Sequence, residues 1–177
     1  MKNLFKGALL AVGLFAAATV ANAQQKIGHI DADALFQLTA EFKTAQTQLQ
    51  TLQASKEKEI SGMYEELQKK NTLAEEKYKN RSEANKAATD AELTQLGQEI
   101  QQMDTRIREV SRVAQEDLQK KQQELMSPIH TKVMNAINAV AKEKGYAYVF
   151  DIGSGAAIYY LGGDDITNDV KTKLGIK

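Results

Sequence analysis

Residues able to act as nucleophiles, general bases or metal ligands are few in this chain. It has two histidines and no cysteine. His29 lies in Lys26-Ile-Gly-His-Ile-Asp31, a strand candidate, and His130 follows Pro128 on a helical stretch. Neither has a second His or Cys at ligand spacing, so the pattern gives no metal site. Both read as packed or surface histidines. Gly153-Ser154-Gly155 lacks the frame of a nucleophile elbow, and no phosphate-cradling or dinucleotide glycine pattern occurs. It reads as a turn. Glu and Lys abound, but at helical spacings, where they form surface ion pairs and not an acid/base pair in a cleft. No catalytic residue, cofactor or metal is expected, and the chain reads as a non-enzyme.

The elements behind these residues are mostly helical. Ala, Glu, Lys, Leu and Gln dominate, with one Pro and no Trp. From about Ala34 to Lys144 the chain is Gly-poor and charged. In its first half, apolar residues fall at Phe42, Ala45, Leu49, Leu52, Ile60, Met63, Leu67, Ala74 and Tyr78. In its second half they fall at Leu93, Leu96, Ile100, Met103, Ile107, Val110, Ala114, Leu118 and Leu125. Alternating steps of three and four make a coiled-coil seam. Each half departs once, at Leu52–Lys56–Ile60 and at Val110–Ala114–Leu118, where two steps of four form a stutter. Folding the stretch back at Asn85 sets the two stutters level. Ile60 then faces Val110, Met63 faces Ile107, and Ala74 faces Leu96. The alternative is one uninterrupted rod. Asn at a helix end and the capping box Thr89-x-x-Glu92 support the turn. Each arm would then be about 75 Å long at 1.5 Å per residue.

Pro128 is expected to kink or break the returning helix near Met126, since it lacks a donor and clashes with the preceding turn. Ile129, Val133, Ala136, Ile137 and Val140 form a face suited to packing on a sheet, and Gly145 reads as the stop. Beyond it, 147–152 and 156–161 read as two strands of a hairpin turned by Gly153-Ser154-Gly155. A short helix follows, capped by Asp165 or Thr167. So few strands leave open edges and little core, which calls for self-association through the sheet. Ile27, Ile30, Val149, Phe150, Ile152, Ile158 and Tyr160 are the candidate residues of that oligomerising body. The fold class is α+β, mostly α: a long antiparallel helical hairpin on a small β-sheet body.

The ends and the charge narrow the setting. Lys2 and Lys6, the apolar run Gly7–Val20 and Ala21-Asn22-Ala23 form a secretory signal-peptide pattern, residues 1–23. The alternative is a retained anchor. The body is then 24–33 with 128–177, and the arm 34–127 with its tip near 85. Removing Lys2 and Lys6 leaves 21 basic against 23 acidic residues, a formal charge of −2. No global basic field draws nucleic acid. One local cluster, Lys77, Lys79, Arg81 and Lys86 near the tip, reads as a client-steering or headgroup patch, or as a solvated helix end.

Several segments resemble the Skp/OmpH family of periplasmic chaperones. They are the signal peptide, the opening from Lys26 to Phe36, the hairpin-length helical middle, Val149–Ile152, Ala157–Tyr159 and Asp165–Val170. The resemblance spans essentially all of the chain after the signal peptide. It implies a jellyfish-like homotrimer with helical arms around a cavity. It also implies a function: holding unfolded outer-membrane proteins in the periplasm without ATP and handing them to the assembly machinery. The best-known members are strongly basic and this chain is not, which counts against tight lipopolysaccharide or membrane binding. Contact with clients would fall beside the seam, at Tyr64, Leu73 and Val113, unless these pack within the arm. Gly62 and Gly97 are expected to soften the arms. The alternative from another class is a coiled-coil spacer or tether of the cell envelope. A third reading, an outer-membrane barrel, has little support, since no series of about ten-residue alternating strands occurs.

Overall fold

The computed structural model describes residues 25–155 and 157–176; the expected signal peptide lies outside them. The elements are β1 Ile27–Ile30, α1 Ala32–Leu38, α2 Ala40–Lys79, α3 Lys86–Lys144, β2 Tyr148–Asp151, β3 Asp164–Asp165 and α4 Thr167–Leu174. This is a mostly helical α+β chain. It divides into two compact units, residues 40–130 and the residues flanking them.

The 40–130 unit is an antiparallel helical hairpin. Half-buried positions on α2 run Leu52, Lys56, Ile60, Met63, Leu67, Lys70, Ala74, Lys77, the alternating pattern with its stutter in place. On α3, Leu96, Ile107 and Ala114 are buried in the same seam. Cross-helix ion pairs fix the register: Lys56–Asp117 at 2.7 Å, Lys70–Glu99 at 2.6 Å, Lys77–Glu92 at 2.7 Å and Arg81–Asp90 at 2.6 Å. The midpoint of each pair falls between positions 84 and 87, so the chain does turn about Asn85. The turn is built differently from expectation. Among the described residues no non-glycine residue has positive φ, and α3 starts at Lys86, which places Thr89 inside the helix. Asn85 instead ties the turn from its side chain. Its Oδ1 accepts from Ser82 N–H at 2.7 Å, and its Nδ2 donates to the Asn80 carbonyl at 3.0 Å. These bonds satisfy groups at the two helix ends, as a capping box would have done.

α3 also runs unbroken through Pro128. Proline removes one helical donor, but Ile129 and Val133 beyond it are both buried. Burying each such side chain gains about 1.5–3 kcal/mol, enough to offset one lost bond. A break does occur at Thr39, where ψ of 144° separates α1 from α2.

The flanking unit holds the sheet, in order β2-β1-β3 and wholly parallel. This corrects the hairpin: 157–163 is irregular, and the third strand is the short Asp164–Asp165. A parallel neighbour cannot be reached by a tight turn, so the residues after β2 serve as a crossover and leave their apolar side chains unpaired. Ile30, Leu35, Phe36, Val133, Ala136, Ile137, Val140, Ile166 and Val170 form the core. Asp31 caps α1, accepting from Ala34 N–H at 2.8 Å. Gly145 and Gly175, both at φ +72°, end α3 and α4 in the left-handed conformation that favours glycine.

Candidate functional site

Two surfaces present apolar groups to solvent, one in each unit. The first is the outer face of the sheet. Parallel register sets Ile27 beside Tyr148 and His29 beside Phe150, and side chains alternate along each strand. Ile27, Tyr148 and Phe150 therefore stand outward, with the Tyr148 and Phe150 rings stacked at 6.3 Å. The 157–163 segment runs over part of this face, its Tyr160 ring 5.1 Å from His29. Between them lies an apolar groove of about 580 Å³, lined mainly by Ile27, His29, Phe150, Ile158 and Tyr159. The His29 Nδ1 is buried there without a hydrogen-bond partner among the described residues. Of the seven candidate body residues, Ile30 is spent in the chain's own core and Val149 and Ile152 are half-buried. Ile27, Phe150, Ile158 and Tyr160 are exposed, Ile158 at 98%.

A side-chain network stiffens this unit. Tyr146 donates its hydroxyl to Asp164 at 2.9 Å, and Lys26 sits 4.2 Å over the Tyr146 ring. Burial and the Asp164 carboxylate push the Tyr146 phenol up. Lys144 binds Asp169 at 2.6 Å, tying α4 to the end of α3. Gly28 packs closely here: an added Cβ would stand 3.2 Å from Ile166, whose side chain would have to shift by a few tenths of an ångström.

The second surface is the arm. Tyr64 is 54% exposed, Leu73 43% and Val113 36%. Tyr78, at a seam-like spacing in the sequence, is 70% exposed. Lys77 takes the inward place instead, where Glu92 meets its ammonium. Tyr78 is the exposed aromatic that the periodicity hides. The tip cations are largely paired: Lys77 with Glu92, Arg81 with Asp90 and Lys86 with Glu83 at 3.8 Å. Arg81 donates two hydrogen bonds to Asp90, which hold that carboxyl below its usual range. Among the described residues no group of His, Cys, Asp and Glu could hold a metal, and no helix is long and apolar enough to cross a membrane.

A family model described as outer membrane protein (OmpH-like) matches residues 26–174, from the start of β1 to the end of α4. The chain belongs to the OmpH-like family. No curated protein matches it significantly. The OmpH-like family is one of periplasmic chaperones associated with outer-membrane proteins, not of enzymes.

Proposed function

We propose that this protein is an ATP-independent periplasmic holdase. It binds unfolded outer-membrane proteins between helical arms and keeps them from aggregating. One observation carries the reading: the hairpin closes along its own seam and still holds Tyr64, Leu73, Tyr78 and Val113 out to solvent. Such scattered contacts grip weakly at many points, and several arms acting together raise the effective affinity. The balanced, mutually paired charges of the arm keep it soluble while selecting against no particular client charge.

Several arms require several copies. The outer sheet face and Ile158, Tyr159 and Leu161 are exposed apolar surfaces within one small unit. An exposed strand edge beside such a patch favours pairing with another chain. We take this unit as the self-association body; the number three follows from the family resemblance. Tyr64, Leu73 and Val113 are the client contacts, and the tip cations Lys77, Lys79, Arg81 and Lys86 a weaker headgroup or client-steering patch. The decisive experiment dilutes a urea-unfolded outer-membrane barrel protein into buffer with this protein. Light scattering should fall in proportion to added oligomer and saturate near one oligomer per client. Undiminished aggregation at equimolar oligomer would leave the spacer reading in its place.

A further inference from the structure

The groove on the outer sheet face has one lining residue able to carry charge near neutral pH. It is His29, on the central strand of the sheet. The rest of the lining is apolar, glycine or tyrosine. The His29 ring is half-buried and lies 5.1 Å from the Tyr160 ring. Its Nδ1 is buried with no hydrogen-bond partner among the described residues. Gly163 lies against that nitrogen, where an added Cβ would stand 3.3 Å from it. The charged groups of the neighbouring elements are engaged elsewhere. Beside β1, Lys26 pairs with Asp164 at 3.7 Å and Asp31 caps α1. On β2, Asp151 accepts from the Ala32 and Gly153 N–H groups, and Tyr148 stacks on Phe150. On β3, Asp164 takes the Tyr146 hydroxyl, and Asp165, level with His29, accepts from Thr167 N–H. The Thr167 hydrogen bonds, and then His29 and Lys171 of α4, hold the Asp165 carboxyl below its usual range. Tyr159 and Tyr160 bring phenols, which carry no charge near neutral pH. A charged His29 would thus be attracted by Asp165 but would keep a buried Nδ1–H without an acceptor.

We infer that His29 gates self-association: a second copy of the chain seats on this groove only while the imidazole is uncharged. The inference rests on the self-association reading above and adds its regulation. A second copy is the occupant because β2 is an open edge strand at the groove, with Tyr148, Phe150, Ile158 and Tyr159 exposed around it. In the separate chain part of the ring meets water, which can solvate an imidazolium. Under a second copy that water leaves, and the charge would sit in an apolar groove with an unpaired donor. Burying such a charge costs far more than burying the neutral ring. Asp165 is in place in both states, and Lys171 shares its attraction. Covering the groove therefore favours the neutral form, so association releases a proton. Association is full above the ordinary histidine range, centred at about 6.5, and weakens as pH falls through it.

The test is sedimentation of the full-length secreted protein over a concentration series at about pH 7.5 and about pH 5.5, both above the ordinary carboxylate range. The association constant should fall about tenfold for each imidazole covered. His29→Phe keeps a ring and cannot charge, so it should associate equally at both pH values. His130 is the chain's other histidine, and His130→Gln should respond to pH as the unaltered protein does. A response that survives in His29→Phe, or is lost in His130→Gln, overturns the inference. A second measurement needs no variant. Heats of dilution in two buffers of different ionisation enthalpy count the protons exchanged on dissociation. At about pH 6 each copy should take up about 0.8 proton; no uptake overturns the inference even if His29→Phe fails to fold. A protein that stays a single chain at every concentration at about pH 7.5 would instead strike down the self-association reading itself.

Discussion

Ile107, 1% exposed in the middle of the seam, and Tyr64, 54% exposed beside it, mark the two duties proposed for the arm. Ile107→Ala should destabilise the protein by about 2–4 kcal/mol, read from the midpoint of urea unfolding. Tyr64→Ala should leave that midpoint within about 0.5 kcal/mol while weakening client binding. A third residue sets an acid limit. Asp165 accepts hydrogen bonds from the hydroxyl and N–H of Thr167, and these hold its carboxyl below the ordinary 3.8. A depressed folded value means the contribution is fully present above 3.8 and is lost as pH falls through the lower folded value. Thermal melts at about pH 5 and about pH 2.5 should therefore differ less in Asp165→Asn than in the unaltered chain. Tyr78 shows why a seam read from apolar spacing alone goes astray. A lysine can bury its aliphatic stem and carry its charge to a partner. Lys77 does so because Glu92 is level with it, a fact that only the folded pair reveals.

At the level of elements, Asn85 and Pro128 act in opposite directions. Asn85→Ala loses both side-chain bonds of the turn. It should cost about 1 kcal/mol and speed amide exchange at 82–86 without altering exchange at the seam. Pro128→Ala restores a helical donor inside α3 and should stabilise the protein by about 1–3 kcal/mol in the same urea assay. The hairpin was legible because its two stutters break the heptad ambiguity; the ion pairs fall in the register they specify. The sheet was less legible. Ala157–Leu161 has strand-forming residues behind a glycine turn signal, which are the marks of a hairpin. Local sequence carries no mark of the distant strand β1, and it is β1 that takes the central place. The break at Thr39 had no signal either, since neither Gly nor Pro stands there. Of the exposed apolar residues of the arm, Tyr64, Leu73 and Val113 could be picked out beside the seam, whereas the outward place of Tyr78 needed the cross-helix Lys77–Glu92 pair.

For the whole molecule, the proposed gathering of copies and the proposed holding of clients predict separable effects. Phe150→Ser removes an exposed ring from the sheet face and should shift sedimentation towards the single chain, while helicity of the 40–130 unit stays intact. The parallel sheet also imposes an order of events. Ile27 bonds to the strand at Tyr148, His29 lies beside Asp165, and the Ala32 N–H reaches Asp151 across 119 positions. Such distant pairings close late, after their loop entropy has been met. A polypeptide emerging from its first residue onward can zip α2 against α3 while 145–176 are still to come, yet β1 must wait without a neighbour. A chain stopped at Lys144 should thus show slow exchange along 56–117 and none of it at 27–30. Under the proposed self-association, completion of the last segment becomes the trigger for assembly, and unfinished molecules stay solitary.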